Sequence, residues 1–288
     1  MSYHQLQKSV IEKDLCCRCG TCAAVCPQDN IYFPDRKGKC LPTDRGKCRD
    51  GCSLCNKVCP GIDSDLSSIC EQASCKGSTG FGLGPYQEVC LLRATNPDIR
   101  AKSTSGGAVT ALLAFCLEHG VVDGILSVGP DPGDPCLSVA RVSHGTGELF
   151  ECIQSRYCVV PLNDALRQLD PGKKYAMVGL PCQIEGLMKL RKYKPAPAEN
   201  IVLVLGLFCH STMYFEATEY LLESSTSAAH KCLTAIKYRD GAFPGHFTGY
   251  WEDGSEKIAS LNQMMNLFDY FSLNRCRLCL NHVAAFAT

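Results

Sequence analysis

Beyond residue 104 the apolar positions of the chain switch period repeatedly. "TSGGAVTALLAFCLEHG" (104–120) carries Val109, Leu112, Leu113 and Cys116 at helical spacing, which predicts a helix from about Gly107 that stops at Gly120. Short apolar runs read as strands: "VVDGILSVG" (121–129), "YAMVGL" (175–180) and "IVLVLGLF" (201–208). Between and after them, "NDALRQL" (163–169), "IEGLMKLRKY" (184–193) and "MYFEATEYLLE" (213–223) return to the helical period. This alternation predicts an α/β domain, a mainly parallel sheet covered by helices. The stretch "TAIKYRDGAFPGHFTGYWEDGSEKIASL" (234–261) differs. Its β-like segments are split by Asp240-Gly241 and Asp253-Gly254, which predicts a small antiparallel excursion.

Composition bounds the rest. The 288 residues are 45% hydrophobic and 20% charged, as in a globular protein of two domains, or of one large domain with an appendage. The formal net charge is zero, which argues against a nucleic-acid or anionic-membrane partner. The longest apolar run, Ile201 to Cys209, is too short for a transmembrane segment. The opening "MSYHQLQKSVIEKDL" has no apolar signal core, so a cytoplasmic protein is expected. Against that background the 22 cysteines are anomalous. A reducing compartment disfavours disulfides and leaves metal binding as the main reason to keep so many thiols.

Two repeated runs hold many of them. "CCRCGTCAAVCP" (16–27) places Cys16, Cys19, Cys22 and Cys26 as C-x2-C-x2-C-x3-C before Pro27. "CRDGCSLCNKVCP" (48–60) places Cys48, Cys52, Cys55 and Cys59 as C-x3-C-x2-C-x3-C before Pro60. This is the four-iron cluster signature of bacterial ferredoxins, in which the fourth cysteine of each run serves the other cluster. Cys16, Cys19, Cys22 and Cys59 are therefore expected to hold one [4Fe-4S] cluster, and Cys48, Cys52, Cys55 and Cys26 a second. Zinc knots use two CxxC pairs with a longer gap between them and fit this spacing poorly. The extra residue between Cys48 and Cys52 departs from the pattern, and Cys17 reads as a bystander. The expected boundaries are a ferredoxin-like domain over 1–76 and an α/β domain over 85–288, joined by the glycine-rich "GSTGFGLGP" (77–85).

Two lone cysteines stand at strand-to-helix junctions, Cys182 in "AMVGLPCQIEGL" and Cys209 in "GLFCHSTM". In open α/β sheets ligands bind beyond the carboxyl ends of strands, so the two could converge. Cys276 and Cys279 in "NRCRLCLN" would complete four thiolates. Spacing alone leaves open whether Cys182 and Cys209 are ligands or small core residues.

The segments "SGGAVTALL", "SRYCVVPLNDALR", "VGLPCQIEGL", "GLFCHSTMYF" and "CRLC" resemble the beta-subunit family of coenzyme F420-reducing hydrogenases and dehydrogenases, over roughly residues 85–283. The ferredoxin-like start resembles that of the longer members. The resemblance implies that Cys182, Cys209, Cys276 and Cys279 bind a third [4Fe-4S] cluster beside FAD, and that coenzyme F420 is the substrate. It also implies partner redox subunits of hydrogenase, dehydrogenase, heterodisulfide- or sulfite-reductase-like type. It places the flavin at Ser105-Gly106-Gly107, where a helix N-terminus and small residues suit a phosphate, although an ordinary cap has the same look. Lys102 could pair with that phosphate or be solvated, and Arg156-Tyr157 matches a family segment near the flavin, a surface arginine being the alternative. The basic run "MKLRKY" with Lys194 could face the acidic tail of F420, or form the wet face of its helix. His210 is expected as a hydrogen-bonded neighbour, Cys116 as core, and Cys70 and Cys75 form an unexplained pair. Family members continue past the CxxC with an "ADISVGD"-like segment, whereas this chain reads "LNHVAAFAT" (280–288), so a missing tail is expected.

Other readings remain at this point: a cluster-bearing electron carrier with no organic substrate, a family member acting on a donor other than F420, and a zinc-stabilised interaction protein.

Overall fold

The computed structural model describes residues 3–64, 78–80, 84–196, 198–223 and 232–284. Cys70 and Cys75 lie outside them. The first residues form a short helix, Tyr3–Leu6, running into a π-helical turn, Gln7–Ile11. Two small strands, β1 (Ile31–Tyr32) and β2 (Thr43–Asp44), pair antiparallel. Each cysteine run winds into one turn or so of helix, Thr21–Val25 in the first and Leu54–Lys57 in the second. The glycine-rich stretch read as a linker is paired in its described part: β3 (Ser78–Gly80) lies antiparallel to β4 (Gly84–Tyr86).

The main sheet comprises β5 (Gly124–Pro130), β6 (Ser138–Ser143), β7 (Tyr175–Gly179) and β8 (Ile201–Gly206) in the order β6-β5-β7-β8. β5, β7 and β8 run parallel, while β6 pairs antiparallel with β5 at the edge. Side chains alternate across this sheet. Leu126, Met177 and Val204 point to one face, against Leu162, Leu166, Ile184 and Leu187. Ile125, Ala176 and Leu203 point to the other, against Leu113 and Cys116 of the Ala108–Glu118 helix. That helix turns one expected core position outward: Leu112 is 47% exposed, while Leu113, Ala114 and Cys116 are buried. A second sheet, β9 (Leu233–Asp240), β10 (His246–Trp251) and β11 (Glu256–Ala259), is antiparallel in sequential order, with Gly241 and Gly254 both at positive φ in its turns. It encloses its own core of Ile236, Tyr238 and Phe247 against Met213, Leu221 and Phe268.

The cysteine-rich region and the parallel sheet share one apolar core. Leu6, Val10, Ala23, Val25, Ile31 and Val58 belong to the same buried cluster as Leu126, Met177 and Leu190. Polar groups lock the junction. Asn163 is fully buried; its Nδ2 donates to Thr21 Oγ1 and Gln183 O, both at 2.8 Å, and its N–H donates to Cys19 O at 2.9 Å. Gly20 has φ +92°, and a Cβ there would stand 2.5 Å from Asp164 N and 2.7 Å from Pro161 O. Glycine at this position lets the first cysteine loop press its backbone onto the body.

The Pro181–Tyr193 helix begins on a proline, and Gln183 Oε1 accepts from Leu180 N–H at 2.8 Å, closing the N-terminus. Its basic stretch is divided: Lys192 is exposed, while Lys189 and Arg191 are turned to backbone carbonyls. Lys189 is buried and donates to the carbonyls of Cys59 and Asp63; Arg191 donates to the carbonyls of Ala198 and Ile201. These cations satisfy backbone acceptors at the seam between helix, strand end and second cysteine run. Gly186 on the same helix faces Thr21, whose Oγ1 would collide with a Cβ. Gly186→Ala is expected to cost about 1–3 kcal/mol by overpacking. Denaturant melting would show a lower midpoint, with the cysteine-rich region exposed first to limited proteolysis.

Candidate functional site: three thiol-lined cavities and an anion-receptive cleft

The cysteines that the spacing assigns to two clusters sort into two cavities. Cys16, Cys19, Cys22 and Cys59 line the first, walled by Leu6, Val10 and Phe33. Cys26, Cys48, Cys52 and Cys55 line the second, beside Tyr3 and Ile31. The fourth cysteine of each run thus joins the other run's three, carried there by its short helix. Cys48 stays with its group despite the extra residue before Cys52, and it is exposed, so the second cavity lies at the protein surface.

A third cavity of about 180 Å³ is lined by Cys182, Cys209, Cys276 and Cys279. Cys182 sits in the first turn of the Pro181–Tyr193 helix, just past β7. Cys209 follows β8, and its backbone is tied to the C-terminal segment: Cys209 N–H donates to His282 O at 2.9 Å, and His282 Nδ1 lies 2.8 Å from Cys209 O. Cys276 and Cys279 come from the short Asn274–Arg277 helix and the residues after it, with Cys276 Sγ 3.6 Å from Thr212 Oγ1. Four thiols from three distant segments therefore surround one space. Among the described residues no three His, Cys, Asp or Glu side chains close on a single point as ligands of a lone metal ion do; the thiols ring volumes instead.

Burial sets their acidity. It pushes the Cys16 and Cys209 thiols up to about 12 and the Cys55 thiol to about 11, and it drives Cys22 and Cys59 well above the usual thiol range. Neighbouring cysteines add to each rise, because a second thiolate in a poorly solvated space is repelled. Such sites favour protonated thiols until a cationic group enters, and loading them releases protons.

Cys17 falls outside the spacing pattern but not outside the cavities. It lines both the first and the third cavity, and its side chain hydrogen-bonds that of Cys182. That bond lowers the Cys17 thiol, with Arg275 acting in the same direction against burial, and raises Cys182. Arg18, next in the chain, is almost fully buried. It donates to Cys16 O at 2.6 Å, Lys39 O at 2.8 Å, Asp14 Oδ1 at 3.1 Å and Tyr214 Oη at 3.2 Å, which fastens the first cysteine loop to the body.

A larger cavity, about 470 Å³, opens beside the third. Of the positions expected at a flavin site, Ser105, Gly106, Gly107, Arg156 and Tyr157 line it. Lys102 does not: it ends the Pro97–Lys102 helix as an exposed side chain. Gly107 has φ +74° immediately before the Ala108–Glu118 helix, and a Cβ on Gly106 would lie 2.7 Å from Leu92 O. Both glycines are thus required for the loop to fold tightly beneath the cavity. Among the described residues the lining contains no Asp, Glu or Lys side chain and includes one arginine. Arg156 Nε is buried without a partner among the described residues, and so is Ser127 Oγ in the same lining. Burial lowers the Arg156 pKa from its usual value. Tyr157, by contrast, is already engaged: its Oη accepts from Arg239 Nη1 at 2.9 Å, and its ring packs edge-on to Tyr238 and Phe268 at 5.6 Å. A guanidinium whose buried Nε is unpaired, an unpaired hydroxyl and a helix N-terminus, with no carboxylate among the described lining residues, make a receptor for a large anion.

Leu180, Cys209, His210 and Thr212 line both this cleft and the third thiol cavity, so one wall separates them. The exposed His210 has its ring 6.0 Å from Phe268 and 6.5 Å from His282. Spacing could not have exposed Asn163 or Arg18, which act on partners remote in sequence, nor Ser127, which only the folded sheet brings into the cleft lining.

An α/β body with cysteine loops of this spacing is the plan of an iron–sulfur protein. Two family models, "Coenzyme F420 hydrogenase/dehydrogenase, beta subunit N-term" and its "C terminus" counterpart, match residues 89–167 and 172–287, and a "4Fe-4S binding domain" matches residues 9–32. The chain belongs to the coenzyme F420 hydrogenase/dehydrogenase beta-subunit family. It is 30% identical over 239 residues to the coenzyme F420-dependent sulfite reductase of Methanocaldococcus jannaschii, 76% of this chain but 34% of that protein. It therefore spans about a third of that relative's length. With the coenzyme F420 hydrogenase subunit beta of Methanococcus voltae it shares 28% identity across 71% of each chain. With one chain of the F420H2 dehydrogenase of Methanosarcina mazei it shares 22%, over 96% of this chain and 75% of the other. The fold resembles a chain of the F420-reducing [NiFe] hydrogenase complex from Methanosarcina barkeri, with a TM-score of 0.51 at 22% identity over 68% of this chain and 66% of that one. Among the described residues no helix is long and apolar enough to cross a membrane.

Proposed function

We propose that the protein passes electrons between coenzyme F420 and a partner redox subunit, using one FAD and three [4Fe-4S] clusters. The observation that carries this reading is the shared wall: Cys209 and His210 belong at once to the anion-receptive cleft and to the third thiol cavity. The donor sets fit clusters, since each assigned set of four thiols lines one cavity. The cleft fits a dinucleotide flavin, because Arg156 Nε and Ser127 Oγ lack partners among the described residues and the Ser105–Gly107 loop leads into a helix N-terminus. A bound flavin supplies the exchange between a two-electron hydride and the single electrons that clusters carry.

The chain's own residues arrange the sites in a row. Cys209 and His210 separate cleft from third cavity, Cys17 separates third from first, and the helices carrying Cys22, Cys26, Cys55 and Cys59 link first to second. The second, with the exposed Cys48, faces outward and is where a partner would meet the row. Leu113, Leu149, Val160 and Phe268 line the cleft and limit water around its inner part.

Mixing the anaerobically purified protein with reduced F420, NADH or reduced ferredoxin tests the proposal. Rapid bleaching of flavin absorbance by reduced F420, and not by NADH, is expected. Flavin reduced only by NADH, or no flavin at all, would replace F420 with another donor or leave a cluster-bearing electron carrier.

A further inference from the structure

The outward side of the second cavity carries more positive charge than its surroundings neutralise. The exposed Cys48 sits in the loop "RGKCRD" (45–50), where Arg45, Lys47 and Arg49 are exposed as well. Arg49 also lines the cavity. Lys57 ends the short helix that carries Cys55, and its Nζ lies 5.6 Å from the ring of the exposed Tyr193. Lys192, exposed too, lies 5.7 Å from the same ring. None of these five cations makes an ion pair among the described residues. Two nearby carboxylates are already engaged: Asp29 pairs with Arg167, and Asp44 accepts from Gly46 N–H at 3.1 Å. Asp50 is the exposed acid of the loop.

The loop is pinned from below. Asn30 is 1% exposed, and its Oδ1 accepts from the N–H groups of Arg45 at 3.1 Å and Lys47 at 2.7 Å. The Arg45 guanidinium stacks on the Tyr32 ring at 4.2 Å, and its Nε donates to Asp29 O at 3.2 Å. The cations therefore project from a fixed backbone, which lowers the ordering cost of meeting a partner. Charge of one sign on a fixed face attracts and orients a protein of the opposite sign. The same charge would attract a nucleic acid, but a phosphate chain has no use for a thiol-lined cavity at the edge of the patch. An electron carrier has.

We infer that Arg45, Lys47 and Arg49, continued along the Cys55 helix by Lys57 and Lys192, form a docking surface for the acidic face of an electron-carrying protein. The inference deepens the proposed function and rests on its placing of a cluster at Cys26, Cys48, Cys52 and Cys55. The patch acts on encounter and orientation, so its effect falls as salt rises.

The test is anaerobic biolayer interferometry of the full chain with a small acidic ferredoxin as the probe and cytochrome c, a basic carrier, as the control. Iron is measured on every sample. At low salt the wild type is expected to bind the ferredoxin and not the cytochrome. The double variant Lys47→Glu, Lys57→Glu should associate with the ferredoxin about tenfold more slowly or worse. That difference should shrink between about 10 mM and about 150 mM salt, as the screening length falls from about 30 Å to about 8 Å. The neutral pair Lys47→Gln, Lys57→Gln should lie between, and it carries the test alone if the Glu variant loses iron. Unchanged association in a double variant with full iron overturns the inference. So does a wild type that ignores the ferredoxin at low salt, prefers the cytochrome, or binds a single-stranded oligonucleotide more tightly than the ferredoxin. Iron content that Cys48→Ala leaves unlowered overturns the cluster placement instead, and it is read without any partner present.

Discussion

Replacing Cys209 with alanine is expected to remove about four of roughly twelve irons per chain, while the two ferredoxin-type sites keep theirs. Three thiols cannot satisfy four irons. Cys17 is engaged with Cys182 and Arg275, and the exposed His210 lies on the wall toward the cleft. The loss has a second consequence because Cys209 also lines the cleft. The remaining clusters should still be reduced by dithionite, while reduction by reduced F420 falls at least about a hundredfold, the upper end of what disturbing only a supporting shell costs. Stopped-flow absorbance with the two reductants separates these effects. A variant with full iron and an unchanged rate would make Cys209 a packing residue.

Arg156→Met acts on the other side of the wall. The guanidinium is half-buried, its Nε lacks a partner among the described residues, and the surrounding cleft has no carboxylate to neutralise it. A hydrogen bond to a charged group contributes about 1.5–3 kcal/mol, so flavin affinity should fall roughly 10- to 150-fold. Arg156→Lys keeps the charge and should lie between. The flavin-free protein is expected to behave oppositely. An unpaired buried polar group is costly, so Arg156→Met should melt no lower than wild type when both are stripped of flavin. Fluorescence titration with FAD and thermal melts of the flavin-free forms together distinguish a ligand-receiving arginine from a structural one. If the variant binds FAD normally but melts early, Arg156 is holding the fold.

Much of this was legible in the chain. The cysteine spacing predicts a crossed grouping of fourth ligands, and the cavities group the same residues. The change from helical to strand period along 104–223 predicts the parallel β5, β7 and β8, because each strand has core neighbours on both faces and reads as a largely apolar run, although Val202 of the edge strand β8 is exposed. The edge strand β6 was less visible. Its signal, Val139 and Val142 between polar residues after "GPDPGDP", is weak because one side of an edge strand is not covered by a neighbour. Lys189 shows the limit of charge patterning. A lysine in "MKLRKY" reads as solvated, yet it is buried where carbonyls of the second cysteine run need donors. Cys17 shows a different limit. A spacing rule assigns one cysteine per corner and discards the extra one, whereas its partner Cys182 enters only when the chain has folded. Tyr157, expected near the flavin, is in the lining, but its hydroxyl is committed to Arg239, which only the tertiary structure reveals.

Whether four thiols from remote segments hold a cluster next to the anion-receptive cleft is tested most directly by iron, acid-labile sulfide and flavin analysis of the anaerobically purified wild-type chain. About twelve irons and twelve sulfides with one FAD per chain are expected. About eight irons with flavin present would leave Cys182, Cys209, Cys276 and Cys279 without a cluster and contradict that claim.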